Sequence, residues 1–198
     1  MLEIEIRLEE EQDYQEVEML ARAAFYRDER ISELGVGCTE HYMIHKLREK
    51  DGIRELDFVA ISGEKIVGHV IYSHSYIINQ DGSRIDTLNV GPLSVLPDFQ
   101  KQGVGSKLMQ YSIERAKESG YGAIVFFGHP TYYPRFGLVE AKEFGITTAW
   151  GANYPAFMAM ELKEGYLHNI QGKYFESELY DEDITKKPAR EYDKLFAD

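Results

Sequence analysis

SVLPDFQKQGVGSKLM, residues Ser94–Met109, runs an apolar stretch into Pro97 and then sets Gly103 and Gly105 at what reads as a helix start. Glycine in a helix costs roughly 1 kcal/mol relative to alanine, so two of them in one turn call for a reason. From Val104 onward, Gly105, Leu108, Met109, Ser112, Ile113 and Ala116 gather on one side of a helical wheel. Ser106, Lys107, Gln110, Glu114, Lys117 and Glu118 gather on the other. The spacing predicts an amphipathic helix from Gly103 to Ser119 with its first face on a sheet. AIVFFG, from Ala123, is the apolar run of a buried strand, and another strand is expected from about Ile85 to Val95. Strand, helix and buried strand in that order make a parallel βαβ unit.

The two glycines answer different needs. Gly105 lies on the packing face, where a helix close to a strand leaves no room for a Cβ. Gly103 has no such reason. The free backbone N–H groups of a first helical turn, and the helix dipole, favour an anion, and glycine lets a phosphate reach them. Gln100, Lys101, Gln102 and Ser106 add side-chain donors around the turn. Gly105 is followed by Ser106, Lys107 and Leu108, which does not complete a GxGxxG dinucleotide fingerprint, and no GxxxxGK[ST] phosphate loop occurs.

Outward from this unit, LEIEIRL at the start alternates like a strand with one buried face. Asp13 and Glu16 resemble a capping box before a helix with Tyr14, Val17, Ala21, Ala24 and Phe25 on one face. Arg27–Cys38 shows no periodicity and reads as a loop, after which Thr39 caps a helix bearing Met43, Ile44 and Leu47. LDFVAIS and KIVGHVIYSHSYII form a hairpin through Gly63. FMAMELKEG, from Phe157, alternates as a further strand, and the charged stretch from Asp181 is a peripheral helix or a tail. The expected organisation is one domain over residues 1–165 with residues 166–198 as a C-terminal extension packed on it or trailing from it.

The 198 residues carry 34 acidic against 22 basic side chains, a net charge of −12, which opposes binding to nucleic acid or to an anionic membrane. Cys38 is the one cysteine, which excludes an intrachain disulfide and sits most comfortably in a reducing compartment. No apolar run approaches the roughly 20 residues of a spanning helix, and no secretory pattern opens the sequence, so a cytoplasmic location is expected.

QKQGVG, Gln100–Gly105, is similar to the QxxGxG signature of the GNAT superfamily of N-acetyltransferases. GPLSVLPDF before it resembles that family's strand and proline, and YYPRFGL, from Tyr132, resembles its Y-x-[KR]-x-G-[FL] segment. Strand order and helix placement agree from about residue 3 to 162. The resemblance implies an α/β GNAT fold, with a mixed, mostly antiparallel central sheet, a splayed parallel strand pair and helices on both faces. It implies acetyl-CoA as cosubstrate, no metal, and acetyl transfer to an amine on a small molecule or peptide. Gln100, Lys101, Gln102, Gly103, Val104, Gly105 and Ser106 would hold the pyrophosphate. Leu93, Ser94 and Val95 would pair with pantetheine, and a backbone N–H at or beside Val95 would polarise the thioester carbonyl.

Tyr133 matches the family tyrosine that serves as general acid, with Tyr132 the alternative beside it; a phenol is protonated at neutral pH and can donate to a thiolate. No motif assigns the base. Glu33, Glu40, His41, His45, His69, His74, Asp86 and His129 all fall on segments that could face the reaction. His129 is carried as the candidate because an imidazole titrates in the right range, although it departs from the residue usual there. Cys38 has no paired histidine at a recognisable spacing, so direct attack by the amine is preferred to an acetyl-enzyme. The acceptor is expected among Arg27–Glu40, the hairpin strands and Tyr154–Phe175. A non-catalytic acyl-CoA-binding or regulatory module is the alternative, and a homodimer is left open.

Overall fold

The alternation at the start of the chain becomes β1 (Glu5–Leu8), antiparallel to β2 (Gly52–Ser62) with Ile6 opposite Ala60. Leu2–Ile4 stay outside the strand. The computed structural model describes residues 2–196; Ala197 and Asp198, at the end of the expected C-terminal extension, lie outside the described residues. The chain divides into two compact units: Met1–Ile71 with Gly91–Ser112 and Glu178–Asp198, and Tyr72–Val90 with Ile113–Ser177.

In the first unit the strand order is β1-β2-β3-β4, where β3 (Lys65–Asn79) and β4 (Arg84–Val95) each contribute one part of their length. The helices are α1 (Tyr14–Phe25), α2 (Asp28–Leu34), α3 (Glu40–Glu49), the first half of α4 (Val104–Glu118) and α5 (Glu182–Asp193). Successive residues of a strand face opposite sides, so Phe58 and Val59 report the two faces of β2. Phe58 meets Tyr111 of α4 edge-on at 5.2 Å, whereas Val59 lies in a core with Val17, Leu20, Ile44 and Leu47 of α1 and α3. Helices therefore cover both faces, as expected. Each of these buried aliphatic side chains is worth about 1.5–3 kcal/mol of transfer free energy.

The helix starts differ in detail from the sequence reading. Asp13 does not cap α1 through Glu16; it pairs with Arg7 (2.6 Å) and accepts from the Glu10 N–H, while Glu16 accepts from the Ile66 N–H. Thr39 makes no side-chain cap, its hydroxyl accepting from Arg30 at 3.2 Å. The expected loop from Arg27 contains α2, which buries none of its side chains and so leaves no apolar period to read. Asp28 and Glu29 suit its N-terminal dipole, and Gly35, at φ +73, ends it.

Between helices and sheet lies a group of charges whose side chains are all less than a tenth exposed. Arg48 donates to Glu9 (2.5 and 2.9 Å) and to Glu18 (2.6 Å) and stacks over Tyr14. His69 Nε2 lies 2.8 Å from Asp57 and 3.8 Å from Glu9. Burial pushes both of these carboxyls up and the imidazole down.

In the second unit the order is β3-β4-β5-β8-β6, with β5 (Ala123–Phe127), β8 (Phe157–Glu161) and β6 (Val139–Glu140). β4 and β5 form the expected parallel pair, meeting at Leu88↔Ile124. β9 (Gly172–Phe175) adds to the free edge of β3, and β7 (Ile146–Thr148) runs parallel to β9; β9 carries no alternation long enough to predict it. Phe157, Ile77, Val125 and Tyr174 centre its core. The C-terminal residues serve both units: β9 belongs to the second, and α5, capped by Asp181 accepting from the Asp183 N–H, belongs to the first.

Candidate functional site

β4 leads through a 3-10 turn at Pro97–Phe99 into the glycine loop of the first unit. Lys101 (φ +59) and Gly103 (φ +90) both adopt left-handed backbone, and a Cβ on Gly103 would meet open space. Glycine at 103 is thus needed for its dihedral angle. The side-chain amides of Gln100 and Gln102 brace the loop from within, donating to the carbonyls of Val95 (3.1 Å) and Asp98 (2.7 Å). The N–H of Lys107 closes the first helical bond onto Gly103 (3.0 Å). Among the described residues, the N–H groups of Lys101 to Ser106 donate to nothing. A run of unpaired donors through left-handed residues at a helix N-terminus forms an anion-binding concavity, and the Lys101 ammonium adds charge. Val104 is buried, whereas Gly105 and Ser106 are half-buried.

The helix approaches the sheet most closely at Gly68 of β3, where a Cβ would come within 2.9 Å of Val104 and 2.8 Å of Leu108. The Leu96 N–H donates to Val67 of β3 (3.0 Å). By alternation the polar groups of Leu93 and Val95 turn to the other edge of β4, the last strand in this unit's order. Such an edge accepts a ligand that pairs like an added strand. Ser94 is buried and its Oγ has no partner.

In the second unit, β5 ends at Phe127 and the chain turns through Gly128 and His129 to Tyr133. The Tyr133 ring stands edge-on to Phe126 (4.8 Å) and to Tyr132 (5.0 Å). A Cβ on Gly128 would lie 2.5 Å from that ring, so this glycine makes its seat. Burial pushes the Tyr133 phenol up, keeping it protonated. His129 is exposed, and its Nδ1 accepts from Thr131 Oγ1 (3.0 Å) and from the Thr131 N–H (3.4 Å).

Asn89 of β4 is buried and donates to Glu176, which also accepts from Tyr174 at 3.3 Å. Burial raises the Glu176 carboxyl to about 7. Neither residue belongs to a motif of the sequence. A polar side chain between Leu88 and Val90 was the one local sign; the partner lies 87 residues away.

The other candidates are engaged elsewhere or stand in solvent. Glu40 pairs with Arg30 (2.9 Å) and accepts from Cys38 (3.3 Å). The Cys38 thiol is fully buried and pushed up to about 12, which makes it a poor nucleophile. His41 is buried beside Asp193, and His45 lies among Glu18, Glu49 and Tyr192. Glu33, His74 and Asp86 are exposed, the last beside Arg84. Glu9, Asp57 and His69 could hold a metal by proximity, their ligand atoms lying within 4.8 Å of one another. Arg48 already takes both oxygens of Glu9 there. Among the described residues no helix is long and apolar enough to cross a membrane.

The chain is similar to known proteins over most of its length. It is 28% identical over 168 residues to the uncharacterized N-acetyltransferase YhbS of Escherichia coli (strain K12), spanning 84% of this chain and 92% of that one. The crystal structure of YhbS from Escherichia coli in complex with CoA superposes with a TM-score of 0.77 at 24% identity, covering 91% of this chain and 93% of that one. A GNAT family acetyltransferase from Brucella melitensis in complex with acetyl-CoA follows at TM-score 0.67 and 24% identity, covering 91% and 100%. Both share the fold: a mixed sheet with the β4–β5 parallel pair. The profile of the Acetyltransferase (GNAT) family matches residues 14–135, from the start of α1 to the turn that carries Tyr133, and the chain belongs to that family.

Proposed function

We propose that this acyltransferase moves an acetyl group from acetyl-CoA to a primary amine on a small molecule or peptide by direct attack. The observation that carries the reading is the run of unpaired N–H groups from Lys101 to Ser106, shaped by left-handed Lys101 and Gly103. Such a cradle fits a pyrophosphate, and Lys101 is its cation in an acidic chain. Acetyl-CoA, when bound, supplies an activated acyl group as a thioester. The outward edge of Leu93 and Val95 pairs with the pantetheine arm, Ser94 lying between them, and a backbone N–H at or beside Val95 polarises the thioester carbonyl. Gln100 and Gln102 act by holding the loop's shape, and Val104, Gly105 and Ser106 act through their backbone N–H groups. Tyr133, kept protonated by burial, gives its proton to the departing sulfur. Phe126 and Gly128 hold the ring, so the phenol is oriented in advance.

The test is an acetyl-transfer assay against a panel of primary amines with mass detection of the products. Acetylated amine and free CoA in equal amounts are expected. Failure of acetyl-CoA to raise the melting temperature of the protein overturns the reading.

A further inference from the structure

We propose that Glu176 is the catalytic base, taking the proton from the acceptor's ammonium group before the amine attacks. This rests on the acetyl-transfer reading and supplies the group that the family signature leaves unassigned. The placement comes from the parallel pair. β4 and β5 meet at Leu88↔Ile124, the one register pair between them among the described residues. One residue beyond Leu88, Asn89 holds Glu176; two residues beyond Ile124, Phe126 holds the Tyr133 ring. In open α/β sheets, ligands bind beyond the carboxyl ends of parallel strands. By the two-residue period, Phe126 shares a face with Ile124 and Leu88, while Asn89 turns to the opposite face. Acid and base are thus held by residues of opposite facing on the parallel pair.

The chemistry of the group suits the task. Among the described residues no cation pairs with Glu176; its rise to about 7 comes from burial, opposed by the hydrogen bonds from Tyr174 and Asn89. Both bonds that fix it land on Oε2, and Oε1 accepts nothing among the described residues. A carboxylate oriented through one oxygen with the other available, titrating near neutral pH, is poised as a general base. In the step itself an N–H bond of the ammonium breaks, an O–H bond forms on Oε1, and the electron pair stays on nitrogen. The proton afterwards leaves to water. His129, the candidate from sequence, is exposed and already accepts through Nδ1, so it lacks both the burial and the orientation.

The experiment compares wild type with Glu176→Gln and Tyr174→Phe in pH profiles of kcat/KM between about pH 5.5 and 9.5, using tyramine, spermidine and an alanine-terminated tripeptide as probes. Glu176→Gln is expected to lose about a hundredfold or more at neutral pH while binding acetyl-CoA as wild type does. Its deficit should shrink as pH rises toward the amine's own titration. Tyr174→Phe keeps the ring and deletes one donor to the carboxylate, so the acidic limb moves to higher pH. A Glu176→Gln enzyme with the wild-type rate and limb, or a Tyr174→Phe limb that stays in place, overturns the assignment while acetyl transfer stands. If the wild type acetylates none of the probes and does not bind acetyl-CoA, the acetyl-transfer reading falls and Glu176 with it.

Discussion

Gly68 and Leu108 touch where α4 begins its run over β3, with no space for a methyl group between them. An added Cβ would lie 2.8 Å from Leu108 Cδ1, 2.9 Å from Val104 Cγ1 and 3.2 Å from the Ser94 carbonyl. Gly68→Ala must therefore displace the Leu108 and Val104 side chains or the first turn of α4 that carries them. A loss of about 1–3 kcal/mol is expected, with weaker acetyl-CoA binding because the same turn ends the cradle. Chemical denaturation and calorimetric titration check the two effects together; a variant as stable and as tight as wild type contradicts the close packing.

Gly103 carries the opposite kind of constraint, an open space with a forbidden angle. Gly103→Ala places a side chain at φ +90 and costs roughly 1–2 kcal/mol locally, which the loop relieves by changing shape. The expected result is a KM for acetyl-CoA raised about tenfold with a smaller change in kcat, since a displaced cradle weakens ground-state and transition-state binding alike.

Tyr133→Phe keeps the ring against Phe126 and removes the proton. Turnover should fall by about a hundredfold or more with acetyl-CoA binding unchanged, whereas Tyr132→Phe stays close to wild type. Equal losses in the two variants would assign the acid to neither.

Burial raises Glu176 from its usual 4.5 to about 7. Between those values the folded chain keeps a proton that the unfolded chain has released, so this group's contribution to stability falls as pH rises across the window. Glutamine carries no charge to bury. The stability gained by Glu176→Gln should vanish near about pH 4 and approach about 3 kcal/mol above pH 7. Urea titrations at several pH values measure it, and a gap independent of pH contradicts the buried carboxylate.

The Cys38 thiol, raised to about 12 and fully buried, holds roughly a thousandfold less thiolate at neutral pH than an unperturbed cysteine. Iodoacetamide should label it only slowly in the native protein and readily in urea, and Cys38→Ser should retain turnover. Loss of activity with accumulation of acetylated Cys38 in wild type would instead point to a covalent route.

The parts of the fold that declare themselves within a few residues were legible. Of the face the wheel gathers, α4 buries Leu108, Met109, Ser112, Ile113 and Ala116 and leaves Gly105 half-buried, and AIVFF is β5 with its first four residues buried. Elements without an apolar period were not. α2 fully buries none of its residues, and the four residues of β9 owe their strand to β3 and β7. At the loop, residue types suggested Gln100 and Gln102 as side-chain donors to the anion, but their amides donate to backbone carbonyls of the loop and strand. Glu176 was invisible for another reason: its shift comes from burial and its orientation from Asn89, and no local pattern records a partner so distant in the chain.

The charges around Arg48 have a consequence for how this sequence can drift. Glu9, Glu18, Arg48, Asp57 and His69 come from separate segments, yet each is held in a dry site by the others. Losing Arg48 strands the Glu9 and Glu18 carboxyls without their cation, at a cost of about 3–5 kcal/mol, comparable to much of a domain's net stability. Exchanging the whole set for apolar side chains of similar volume carries no such penalty. Substitution here is therefore a concerted event, and relatives should hold the set complete or replace it together, with few sequences in between.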